Sequence, residues 1–134
     1  MGLAPNTRVA KGAPHELMVR LADQFGVTHF VETGTYRGAT AVWARSHFTR
    51  VVTIERSPTI YEATAAEYEN VDNVEFLFGD SRPVLPRILS TLSKPTVFWL
   101  DGHWSGGETW GEMDECPLLG ELAVINRSDE THFL

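Results

Sequence analysis

The sequence predicts an α/β protein: a doubly wound, mostly parallel sheet with helices on both faces. Three observations carry this. Short β-branched and aromatic runs alternate with stretches of helical spacing. The runs are apolar without the polar-apolar alternation of a half-solvated sheet, as strands covered on both faces must be. The distinctive polar residues fall directly after the runs, where open parallel sheets bind ligands.

Residues 1–13 read as a polar N-terminal tail without the apolar centre of a secretory signal. Residues 14–134 read as one domain. Pro14 suits a first helical turn, and Leu17, Leu21 and Phe25 recur every four residues before Gly26, a candidate left-handed cap. Val27–Thr33 reads as a strand, Gly34 to Gly38 as a turn, and Ala39–Phe48 as a helix with Val42 and Trp43 on its apolar side. Val51–Ile54 is a second strand. Ser57-Pro58 has the form of an N-cap followed by a first-turn proline, opening a helix to about Glu69 with Ile60, Ala65 and Tyr68 inward. Val74–Phe78 is a third strand. Ser81 is the candidate cap of the next helix, with Leu85, Ile88, Leu89 and Leu92 as its stripe and Pro86 early enough to be tolerated. Lys94-Pro95 ends it, and Thr96–Leu100 is a fourth strand. A glycine-rich loop, Ser105–Gly111, precedes a helix over roughly Glu112–Asn126 with Leu118, Leu122 and Ile125 inward. Thr131–Leu134 reads as a short fifth strand.

With 134 residues, 43% hydrophobic and 22% charged, the chain has a globular composition. Its net charge of -7 argues against a nucleic-acid surface and an anionic membrane. Arg37, Arg45 and Arg50 are scattered candidates for a basic patch. The single cysteine, Cys116, excludes an internal disulfide, fits a cytoplasmic protein and reads as a structural thiol. No apolar run approaches a membrane span.

Four strand ends carry the chemistry. The first gives Glu32-Thr33-Gly34-Thr35-Tyr36-Arg37-Gly38, whose glycines allow a tight turn and close backbone approach to a ligand. An ordinary strand-to-helix turn is the plainer alternative, but an acid ending an apolar strand is costly without a task. Glu55 ends the second strand, about 20 residues on, where an acid can accept from two ribose hydroxyls; a surface glutamate is the alternative. Asp80 follows the third and suits either an adenine amino group or the cap of the next helix. Asp101-Gly102-His103-Trp104 brings a carboxylate, an imidazole and an aromatic ring out after the fourth.

This series of segments, ETGTYRG, TIE, GDS and LDGHWSGG, resembles motifs I to IV of class I, Rossmann-like S-adenosylmethionine-dependent methyltransferases. The Glu-x-Gly-x-x-x-Gly form resembles the catechol and caffeoyl-CoA O-methyltransferase branch. The stretch from Val27 to Asn126 also looks like a bacterial group with a DGHxSGG segment. The resemblance implies that Glu32, Gly34, Thr35, Tyr36 and Gly38 line the methionine portion of the cofactor. It implies that Glu55 holds the ribose, that Arg56 and Ser57 flank the adenine, that Asp80 and Ser81 contact its edge, and that Asp101 lies near the sulfonium. The Tyr36 backbone must then work where the commoner motif has a glycine. The branch's divalent-metal position corresponds to Asp101; its other ligands come after a fifth strand, so Mg²⁺ is expected only in a longer parent. Measured against that family, the chain is C-terminally short, without the last strands.

Methyl transfer from a sulfonium needs mainly alignment and exclusion of water. An oxygen acceptor also needs a base, for which His103 is the candidate beside Asp101; a hydrogen bond orienting Asp101 is its other role. Trp104, Ser105, Gly106 and Gly107 are candidates for acceptor contacts and a closing lid. Trp104 and Trp110 suit either a planar acceptor or the core. The expected partner is a small-molecule acceptor. The fourth strand, near a sheet edge, invites self-association unless Thr131–Leu134 covers it. Two other readings stand beside this one. A NAD-dependent oxidoreductase would share the glycine turn and ribose acid, but leaves the third and fourth strand ends unexplained. A non-catalytic S-adenosylmethionine- or nucleoside-binding module would bind without turnover.

Overall fold

The computed structural model describes residues 12–101, 118–128, 130 and 132–134. The elements run α1 His15–Phe25, β1 His29–Thr33, α2 Ala39–Ala44, β2 Arg50–Glu55, α3 Pro58–Glu67, β3 Val74–Phe78, α4 Ser81–Leu89, β4 Thr96–Leu100 and α5 Leu118–Ile125. The strands form one parallel sheet in the order β3-β2-β1-β4. The order reverses between β1 and β4, so their carboxyl ends flank the crevice in which such sheets bind ligands.

Two cores explain the strands' apolar composition. On one face Phe30, Val51 and Val97 pack with Met18 and Ala22 of α1 and Ala41 and Ala44 of α2. The α3 helix covers the same face, with Tyr68 stacked on Phe76. On the other, Val31, Val52, Ile54 and Phe98 meet Leu85 and Ile88 of α4 and Ile125 of α5. Phe30, Val31, Val51 and Val52 lose all solvent contact, each contributing roughly 1.5–3 kcal/mol of burial.

The sequence locates β3 and β4 to the residue, and Ser57 caps α3 as expected, accepting from the Ile60 amide at 3.4 Å. Gly26 closes α1 in the left-handed conformation (φ 64). Other expectations need correction. The buried side of α1 is Met18 and Ala22; Leu17 and Phe25 are exposed. Small Ala22 lets the helix approach the sheet, and Phe25 instead tilts against Phe133. The first strand begins at His29, and α2 gives way after Ala44 to turns ending at buried Phe48. In α3 the buried residue is Thr64, with Ile60, Ala65 and Tyr68 only half-buried. In α5, Leu118 is exposed and Glu121 is buried beside Ile125.

The β4 edge is covered by the chain itself. Phe133 bridges Val97 in parallel, its carbonyl accepting from Phe98 N at 2.7 Å and its amide donating to Thr96 O at 3.0 Å. A single bridge thus stands where the sequence predicts a strand. Residues 102–117 and Thr131 lie outside the described residues, and with them His103, Trp104, the Ser105–Gly111 loop, Trp110, Cys116 and the first part of the predicted last helix. Among the described residues no helix is long and apolar enough to cross a membrane.

Candidate cofactor site

The parallel register sets the carboxyl ends of all strands on one side of the sheet. Thr33 pairs with Ile54 and with Leu100, and Glu55 with Phe78. Residues following these positions therefore converge. A shallow groove, open to solvent and enclosing about 50 Å³, is lined by Thr33, Gly34, Ile54, Glu55, Arg56, Gly79, Asp80 and Ser81. Asp101 emerges beside it, exposed, its amide donating to Thr33 O at 3.0 Å.

The turn after β1 is held by backbone conformations that favour glycine. Gly34 has φ 85 and Gly38 φ 79. A Cβ on Gly38 would stand 2.7 Å from the Tyr68 ring. Between them Tyr36, at φ 49, takes a left-handed conformation uncommon for a residue with a side chain. Glu55 fixes it there: one carboxylate oxygen accepts from Tyr36 N at 3.0 Å and the other from Ser57 N at 2.8 Å. Each oxygen keeps lone-pair capacity for a further donor. The Tyr36 side chain is exposed, under the Arg37 guanidinium.

Glu32 and Thr35 lie beneath this turn. Thr53 donates to Glu32 Oε1 at 2.8 Å. Its proton thus committed, Thr53 accepts from the Thr35 hydroxyl at 2.6 Å. Burial pushes the Glu32 carboxyl up to about 8, against the donation from Thr53 and with the nearby Asp101 and Glu55 charges adding to the rise. At neutral pH Glu32 mostly keeps its proton, and Asp101 and Glu55 gain a neutral neighbour.

Asp80, rather than Ser81, caps α4, accepting from Arg82 N at 2.9 Å. The Arg82 guanidinium closes on the same carboxylate at 2.5 Å and holds it below the usual range. Ser81 turns the other way and donates to buried Glu121. Sequence reasoning missed two groups here. Glu121 sits in an apolar helix, and its partner is far along the chain. Thr33 Oγ1, 1% exposed and on the groove lining, has no hydrogen-bond partner among the described residues.

The expected cofactor residues thus divide. Gly34, Glu55, Arg56, Asp80 and Ser81 share one groove. Tyr36, Gly38 and Ser57 build its turns, Glu32 and Thr35 support it from below, and Asp101 stands at its β1–β4 side. Such a donor set suits an adenosyl ligand: an acid for ribose hydroxyls, hydroxyls for a base edge and backbone at a glycine turn for a polar tail. Among the described residues no three His, Cys, Asp or Glu side chains converge to hold a metal. Arg37 stands at the groove end of the sheet. Arg50 begins β2 at the opposite end, paired with Glu75 at 2.9 Å, so with Arg45 they make no single patch.

Solved structures share this fold. The 23S rRNA methyltransferase ErmE superposes with a TM-score of 0.55 at 13% identity, over 90% of this chain and 43% of that one. A candidate methyltransferase from Streptococcus mutans, SMU.1697c, solved with S-adenosylhomocysteine, gives 0.53 at 16% identity, over 88% and 65%. A candidate caffeoyl-CoA O-methyltransferase from Staphylococcus aureus gives 0.51 at 19% identity, over 66% and 45%. The chain therefore has the Rossmann-like fold of class I S-adenosylmethionine-dependent methyltransferases and spans 43–65% of the length of these three. No protein-family profile and no curated protein matches it.

Proposed function

We propose that this chain binds S-adenosylmethionine across the carboxyl ends of its strands and takes part in methyl transfer to an oxygen of a small-molecule acceptor. The observation that carries the reading is the convergence of Gly34, Glu55 and Asp80-Ser81 on one groove with Asp101 beside it. Glu55 accepts from the ribose hydroxyls while its backbone bonds keep it oriented. The Gly34–Tyr36 turn carries the methionine portion, and Arg56 and Ser57 flank the base. The bound cofactor supplies an electrophilic methyl group on a good leaving group. Asp101 places the acceptor, and His103 takes its proton. Trp104, Ser105, Gly106 and Gly107 shield the reaction from water. The protein works in the cytoplasm, the compartment its single cysteine fits.

Calorimetric titration separates this from a nicotinamide enzyme. S-adenosylhomocysteine should bind at one site per chain and NAD should not; the reverse outcome rejects the proposal. Methyl transfer from labelled S-adenosylmethionine over a panel of hydroxylated acceptors tests catalysis. Tight binding with no transfer to any of them would leave a binding module and overturn the catalytic part.

A further inference from the structure

On the face of the sheet covered by α4 and α5, the groove lining includes Ser81. Behind Ser81 lies the Glu121 carboxylate, 1% exposed, in a helix whose other residues are uncharged. A buried acid is costly unless something compensates it. Its partner is Ser81, itself 8% exposed, which donates its only proton to Glu121. Gly120 makes the approach possible: a Cβ there would stand 3.2 Å from Arg82 Cδ in the first turn of α4.

This hydrogen bond fixes the polarity of Ser81. With its proton given away, its oxygen can only accept from a ligand. Asp80, the acid expected to accept from an adenine amino group, is otherwise engaged. Its Oδ1 accepts from Arg82 N and Nε at 2.9 and 3.0 Å, and its Oδ2 from Nε and Nη2 at 3.2 and 2.5 Å. An oxygen obliged to accept, on the groove lining, matches a base edge that presents an amino group.

We propose that Glu121 is a positioning residue: it makes Ser81 an obligate acceptor and so selects a purine with a 6-amino group over one with a 6-keto oxygen. The inference rests on the cofactor reading above and adds how the base is chosen. A keto oxygen at this place would face the Ser81 lone pairs, and a site with unmatched buried polar groups rejects such an analogue strongly.

The test is calorimetric binding of S-adenosylhomocysteine and S-inosylhomocysteine to the whole chain. The unaltered protein should prefer the adenosyl compound by about tenfold or more. Glu121→Leu frees the Ser81 proton, and the preference should fall to within about threefold; Ser81→Ala should do the same. Glu121→Gln keeps an acceptor oxygen and should keep the preference. A merely structural role for Glu121 would weaken both ligands alike and leave the ratio unchanged, which overturns the proposal. So would a ratio near one in the unaltered protein, or an unaltered ratio in Ser81→Ala, which decides the matter even if Glu121→Leu does not fold. If neither nucleoside binds the unaltered protein, the cofactor reading itself fails and this inference goes with it.

Discussion

Replacing Glu32 by Gln removes a titrating proton from the centre of the sheet and keeps the acceptor to which Thr53 donates. The carboxyl titrates at about 8 in the folded protein, against 4.5 for an unperturbed glutamate. The folded state therefore binds this proton more tightly than the unfolded chain does. The associated stability is fully present below about pH 4.5, declines as pH rises, and is gone above about pH 8. At 1.36 kcal/mol per unit, the separation corresponds to about 5 kcal/mol, of which about 4 falls between pH 5 and pH 9. Urea unfolding of both proteins at those two pH values isolates the effect. His15, His29 and His132 are all held below the usual histidine value, chiefly by burial, and give an opposite slope. They are common to both proteins and cancel. Glu32→Gln should gain several kcal/mol relative to the parent on going from pH 5 to pH 9. A constant difference between the two proteins would refute a buried, proton-retaining Glu32.

Three more outcomes follow from the site. Gly38→Ala combines a left-handed φ with a Cβ set 2.7 Å from the Tyr68 ring; it should cost roughly 1–3 kcal/mol, read from the urea midpoint, and an unchanged midpoint contradicts the tight turn. Glu55→Ala leaves the Tyr36 and Ser57 amides without their acceptor; it should lose about 1–3 kcal/mol and at least about tenfold in S-adenosylhomocysteine affinity, and unaltered calorimetric affinity would remove Glu55 from the ribose. Asp80→Ala loses the cap of α4 and the Arg82 pair, a cost of about 1 kcal/mol near neutrality. Because the Asp80 carboxyl is held below 3.8, that advantage is present above this value and disappears as pH falls through the folded one. Thermal melts at pH 7 and pH 2.5 should show the deficit closing, whereas an equal deficit at both contradicts the assigned charge.

The strand frame was legible because strands buried on both faces have one solution: β-branched and aromatic runs bounded by turn residues. The convergence of Glu55, Asp80 and Asp101 followed from topology alone, since parallel strands present their carboxyl ends together. Helix faces were less legible. In α1 two overlapping stripes satisfy helical spacing, and Leu17-Leu21-Phe25 is the more hydrophobic; the sheet takes Met18 and Ala22, because close approach favours the smaller side chain. Asp80 and Ser81 can each cap a helix, and only the positions of Arg82 and Glu121 decide between them. Glu121 itself reads as a solvent-facing charge until a residue from another helix is brought against it. Thr33 was hidden for a related reason: a hydroxyl without a partner among the described residues is a property of its surroundings, and no spacing reports it.

The most direct trial of the account is a crystal structure of the chain with S-adenosylhomocysteine. It should place the ribose hydroxyls on Glu55, the base against the Asp80-Ser81 wall and the amino-acid tail over Gly34–Tyr36. A saturated crystal with the ligand bound elsewhere, or with the nucleoside running away from Glu55, would contradict it.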